Sequence, residues 1–105
     1  MDLSKPRYPL EEVKRLIAKG QYAITLTAQQ SAHALGFSKT LVADVVLDLK
    51  KGDFDKTTTD NRNHRAWQDV YRKMVNGQNL YIKLKITSNG GEHVLVLSFK
   101  RDENV

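Results

Sequence analysis

The chain has 105 residues and no cysteine, which fits a single domain over residues 1–105, excludes disulfides and thiolate zinc sites, and leaves enough length to bury a core without covalent staples. Lys plus Arg number 17 against 12 Asp plus Glu, a net charge of +5. The excess is uneven: from Arg62 to Arg101 there are eight basic residues and two acids, Asp69 and Glu92, so this part of the chain points to a polyanion, where Lys and Arg gain by releasing counterions from phosphates. No apolar run nears the roughly 18 residues of a membrane span, and the opening MDLSKPRYP has no signal-peptide core, so no membrane association and a cytoplasmic location are expected.

The first predicted element is a helix. Pro9 suits its first position, Glu11 and Glu12 its positive end, and Leu10, Val13, Leu16 and Ile17 form an apolar stripe that Gly20 closes. A short strand over about Gln21–Leu26 follows. Thr27, with Gln30 three residues on, reads as the capping box of a second helix that Gly36 ends. Ser38 caps a third, buried through Leu41, Val42, Val45, Val46 and Leu49 and finished by Lys50–Lys51–Gly52. The period then changes. Phe54–Thr59, Trp67–Val75, Leu80–Thr87 and Val94–Lys100 read as strands, with Asp60–Arg65 a polar loop. Helices first and strands later predict an α+β fold, helices packed on one face of a largely antiparallel sheet.

Two turns set the register. A two-residue turn at Gly90–Gly91 places Ile82 opposite Phe99, Leu84 opposite Leu97 and Ile86 opposite Leu95, all apolar. The other face then pairs Tyr81 with Lys100, Lys83 with Ser98 and Lys85 with Val96. A turn at Asn76–Gly77 sets Arg72 opposite Tyr81 and adds Gln68 to the same face, about 13 Å along the strand from Tyr81; a longer loop over Arg72–Gln78 or a bulge would instead bring Gln68 closer, and the sequence leaves both open. Trp67 and Tyr71 fall on the apolar side, and so does Asp69, an acid opposite Leu84. The expected polar face carries Gln68, Arg72, Tyr81, Lys83, Lys85, Ser98 and Lys100 and no carboxylate, a surface suited to phosphate. Arg72, Lys83 and Lys85 are its candidate RNA-binding residues.

Other polar residues carry less. His33, His64 and His93 show no ligand spacing, so no metal and no cofactor are expected. His64 lies close enough to Gln68 in sequence to be a secondary catalytic candidate. Lys39 and Asp44 read as helix surface, and Asp53 and Asp55 as turn residues. No Gly-rich phosphate loop or nucleophile elbow is present.

Several blocks in order resemble the MqsR family of type II toxins. The sharpest is Trp67–Gln68–Asp69–Val70–Tyr71–Arg72. Asp53–Phe54–Asp55–Lys56 is similar to the family's Asp-Phe-x-Lys, and Lys19–Gly20–Gln21, Tyr81–Ile82–Lys83 and Ser98–Phe99–Lys100 fall at the family's spacing, so the likeness runs from about Tyr8 to Lys100. The resemblance implies a RelE-like microbial ribonuclease fold on a curved sheet, with catalytic residues at Lys56, Gln68, Tyr81 and Lys100. The loop around Ser88–His93 looks longer than the family's usual one.

The chemistry that the resemblance implies is metal-independent endoribonuclease cleavage of mRNA by 2′-hydroxyl attack, at GC-containing sites and without the ribosome. It also implies a cognate antitoxin protein and, through the antitoxin, an indirect link to operator DNA. Free tyrosine and lysine titrate above neutrality, and clustered positive charge is expected to lower those values. The alternative is a non-catalytic RNA-binding module, which the lack of interleaved exposed aromatics disfavours. A DNA-binding regulator is disfavoured because no helix gathers the donors of a recognition helix.

Overall fold

The computed structural model describes residues 2–59 and 66–103, with side chains from Ser4 onward. His64 and the rest of the expected polar loop lie outside the described residues. The chain begins with a two-residue strand β1 (Asp2–Leu3), not anticipated from sequence, and continues with helix α1 (Leu10–Ala18), strand β2 (Tyr22–Ile24), and helices α2 (Leu26–Ala34) and α3 (Lys39–Leu47). A 3-10 turn at Lys51–Asp53 leads into β3 (Phe54–Thr59), β4 (Trp67–Val75), β5 (Gln78–Thr87) and β6 (His93–Arg101).

The helix ends follow local chemistry, with two shifts from expectation. Pro9 sits one position earlier than expected, as the residue before the first helical turn (φ −56°, ψ 129°), where its missing N–H costs nothing. The cap of α2 is Thr25 and not Thr27: Thr25 has extended backbone, and its side chain accepts from the Ala28 N–H at 3.2 Å. That cap cuts β2 to three residues. Ser38 caps α3 as expected, accepting from Leu41 N–H at 3.2 Å, but the helix stops at Leu47, leaving Leu49 buried just beyond it.

Among the described residues the strands form one six-stranded sheet in the order β1-β3-β4-β5-β6-β2. Every pairing is antiparallel except β2 with β6. The core is built between one face of this sheet and the helices. Val13, Leu16 and Ile17 of α1, Ala28 and Ala32 of α2, and Val42, Val45 and Val46 of α3 cluster with Tyr71, Leu80, Ile82, Leu84, Val94, Val96 and Phe99. The α+β arrangement with helices on one sheet face is therefore the one expected.

The β4–β5 hairpin has the expected register throughout, from Val75 opposite Gln78 to Asp69 opposite Leu84. Asn76 (φ 52°) and Gly77 (φ 78°) both take left-handed backbone, as a type I′ turn requires to match strand twist. The β5–β6 hairpin is half as expected. Tyr81 faces Lys100, Ile82 faces Phe99 and Lys83 faces Ser98, but Leu84 faces Val96, Lys85 faces Leu95 and Ile86 faces Val94. The turn is a five-residue loop, Ser88–Glu92, between the paired Thr87 and His93, and a bulge after Ser98 absorbs the odd residue. The two-residue turn at Gly90–Gly91 is thus corrected.

Asp69, anomalous on the apolar side, is fully buried and explained by the segment that crosses it. Its carboxylate accepts from the backbone N–H groups of Arg7 and Tyr8, both at 2.9 Å. The Tyr8 hydroxyl donates to the Trp67 carbonyl at 2.9 Å. The acid ties the N-terminal segment to β4 by giving two backbone donors a partner they need once out of water.

Candidate active site on the polar face of the sheet

Alternation along four neighbouring strands stacks the expected residues in rows across the face turned away from the helices. Arg72, Tyr81 and Lys100 form one row, contributed by β4, β5 and β6. Lys56, Val70, Lys83 and Ser98 form the next, from β3 to β6. Thr58 and Gln68 begin a third. Val70 is fully buried yet stands outside the helix-side core cluster, so longer side chains of its own face cover it. Gln68 lies two rows from Tyr81: of the two alternatives left open by the sequence, the unbroken one holds, because no bulge interrupts β4 against β5.

Tyr81 is the centre of the first row. The Lys100 ammonium lies 5.1 Å from its ring centroid, the Arg72 guanidinium 5.8 Å and the Lys83 ammonium 5.9 Å. Cations at these distances are drawn to the ring's quadrupole. They do not win the phenol's proton equilibrium. Burial pushes Tyr81 above the ordinary phenol value, against the pull of Lys56 and Arg72, and Asp55 and Asp102 push the same way as burial. The expectation that clustered charge lowers this tyrosine is therefore reversed, because desolvation of a phenolate outweighs the neighbouring cations.

The face also differs from expectation in holding carboxylates. Arg72 donates through Nε to Asp55 at 3.1 Å and through one terminal nitrogen to both Asp102 oxygens at 3.3 and 3.2 Å. Asp55 reaches it because a bulge between Phe54 and Lys56 turns an extra residue of β3 outward. Asp53, by contrast, is a turn residue as expected, accepting from Lys50 N–H at 2.8 Å. Asp102 was not singled out from sequence. The signal was there: continuing the register past Leu80 opposite Arg101 sets Asp102 opposite Asn79, on the Lys100 face, and the Asp102 N–H does donate to the Asn79 carbonyl at 2.7 Å.

Among the described residues no three His, Cys, Asp or Glu converge as a metal ion would require. His93 bonds the Gly91 carbonyl at 2.8 Å within its own loop, and His33 is exposed on α2. Among the described residues no helix is long and apolar enough to cross a membrane.

Residues 5–101 match the family described as "Motility quorum-sensing regulator, toxin of MqsA". The chain belongs to the MqsR toxin family. A relative from Escherichia coli (strain K12), named mRNA interferase toxin MqsR, is 36% identical over 101 residues, covering 95% of this chain and 98% of the relative. The rows described above thus stand in an MqsR toxin matched along nearly its whole length.

Proposed function

We propose that the polar face is the cleavage surface of an mRNA interferase. As an MqsR-family toxin similar over 95% of its length to an mRNA interferase, the chain is an endoribonuclease toxin acting on mRNA and paired with an antitoxin; the residue roles that follow are our reading. The observation that carries them is the row Arg72–Tyr81–Lys100, in which the lysine ammonium lies 5.1 Å from the centre of the tyrosine ring.

In this reading the ribose 2′-hydroxyl oxygen attacks the adjacent phosphorus and its proton passes to solvent. The P–O5′ bond breaks, giving a 2′,3′-cyclic phosphate and a 5′-hydroxyl. Lys100 and Lys56 hold charge on the phosphorane-like transition state, where fixed donors act without reorganising. Tyr81, which burial makes harder to ionise, is a donor and not a base: its proton passes to the leaving 5′-oxygen, and water reprotonates the phenolate so that the proton released by the 2′-hydroxyl is balanced. Gln68, two rows away, holds the RNA backbone or a base, and Lys83 and Lys85 contact flanking phosphates. No metal takes part. The natural substrate is mRNA cut at GC-containing sites without the ribosome, in the cytoplasm, and the antitoxin links the chain to operator DNA.

The test is to incubate the purified protein with single-stranded RNA in EDTA and map the new ends. Cleavage that survives chelation and leaves 5′-hydroxyl ends is expected. Activity abolished by EDTA and restored by a divalent ion overturns the mechanism, and RNA binding without any cutting favours the non-catalytic alternative.

A further inference from the structure

The Arg72 guanidinium stands in the same row as Tyr81 and Lys100, where a phosphate-binding cation is expected, yet it is held from two sides. Asp102 is almost wholly buried, its side chain 2% exposed, and both of its oxygens face one terminal nitrogen of Arg72; the pair is anchored by the Asp102 backbone on Asn79. Asp55 takes Nε from the other side. A guanidinium opposed by two carboxylates has little net charge left for a phosphate, and a fixed one makes a rigid wall for the ring 5.8 Å away.

We propose that Asp102 is a positioning residue for RNA cleavage: with Asp55 it pins Arg72 against the Tyr81 ring, so that Arg72 braces the tyrosine and does not bind RNA phosphate. This rests on the reading of Tyr81 given above. It divides the cations of the face by task. Lys100 and the lysines of the neighbouring row meet the substrate. Arg72 holds the phenol still and shields RNA from two carboxylates that repel it. Among the described residues, the groups facing Tyr81 are Lys56 and Asp55 from β3, Arg72 from β4, Lys83 from β5, Lys100 from β6 and Asp102 just past its end.

Asp102→Asn tests the assignment. Removing one carboxylate frees charge on Arg72 and loosens the ring. On an RNA whose 2′-hydroxyls are replaced by hydrogen, so that it binds without being cut, the salt dependence of binding should steepen by up to about 0.7 in log–log slope, one added phosphate contact on a single strand. On cleavable RNA, KM should fall while kcat falls by about tenfold, since small misplacements of a reacting group are costly. The double variant Arg72→Gln/Asp102→Asn removes both charges together. It should restore the wild-type slope while kcat stays low. A double-variant slope shallower than wild type by about 0.7 shows that Arg72 does hold a phosphate and overturns the proposal. So does an Asp102→Asn protein with altered Tm but unchanged kcat, KM and slope, since that is a structural role only. Tyr81→Phe, run alongside, separates the two readings. If it cuts at the wild-type rate, the tyrosine site itself is wrong. If it is inactive while Asp102→Asn behaves as wild type, only the positioning role fails.

Discussion

Tyr81 has cations on three sides and still keeps its proton more firmly than a free phenol, because burial dominates. Its expected part in catalysis is that of a donor, and the substitution that removes only the donor is Tyr81→Phe. Tyr81→Phe and Lys100→Ala should each slow RNA cleavage about a hundredfold or more while shifting stability by less than about 0.5 kcal/mol, as neither opens the core. Leu84→Ala is the contrast: Leu84 is fully buried against the helices, so losing it should cost about 2–5 kcal/mol. Measured together, cleavage rate and thermal midpoint must move independently; wild-type cleavage by both Tyr81→Phe and Lys100→Ala puts the active site elsewhere. Tyr71 behaves oppositely to Tyr81. Its hydroxyl is buried without a hydrogen-bond partner among the described residues, and burial, with Asp69 and Asp53, pushes it far above the ordinary phenol range. Removing an unsatisfied buried polar atom relieves a desolvation cost, so Tyr71→Phe should leave stability at neutral pH the same or higher by up to about 1 kcal/mol. A clear loss on denaturant titration would mean that the hydroxyl has a solvent partner.

The strands were legible where the chain's own alternation and turn chemistry set them. Asn76–Gly77 demands left-handed backbone at two positions, and only one register of β4 on β5 satisfies it together with the apolar side, so Arg72 and Tyr81 were aligned correctly from sequence. The glycine pair after Asn89 was ambiguous: Gly90 and Gly91 do take positive φ, but within a wider loop, and glycine does not report loop length. Strand β1 was illegible because two residues carry no period, and it exists only through its pairing with Thr57 and Thr58. Asp69 was visible as an anomaly but not explicable, since its partners are backbone groups 61 and 62 positions away. The Asp55 contact was illegible because a bulge turns that residue to Arg72, whereas Asp102 lay one step beyond a strand end that the register already reached. Asp69→Ala should therefore act on an element, not a site. Two charge-assisted hydrogen bonds disappear, costing about 3 kcal/mol, and amide exchange at Arg7 and Tyr8 should accelerate more than in β5. Unchanged exchange at those two amides would show that the segment is held by other contacts.

At the scale of the molecule, Tyr8, Tyr71 and Tyr81 are all raised above the ordinary phenol value, burial being the first cause in each. In the unfolded chain these three tyrosines ionise near pH 10, while the fold resists their ionisation. The stability tied to these groups is therefore complete below about pH 10 and drains away as pH rises beyond it. A thermal midpoint flat from pH 8 to 9.5 and falling steeply above 10 is expected, with the fall reduced in Tyr71→Phe; an equal fall in that variant assigns the alkaline limb to other groups. The bulge in β6 has its own consequence for the whole hairpin. With five residues in the loop, an unbroken ladder would set Ile82 against Ser98 and turn Lys100 away from Tyr81. The bulge instead works as an expansion joint: it takes up the odd residue between the loop and the row of Arg72, Tyr81 and Lys100. One unpaired residue, Leu97, thus reconciles this five-residue loop with a row that keeps Lys100 beside Tyr81.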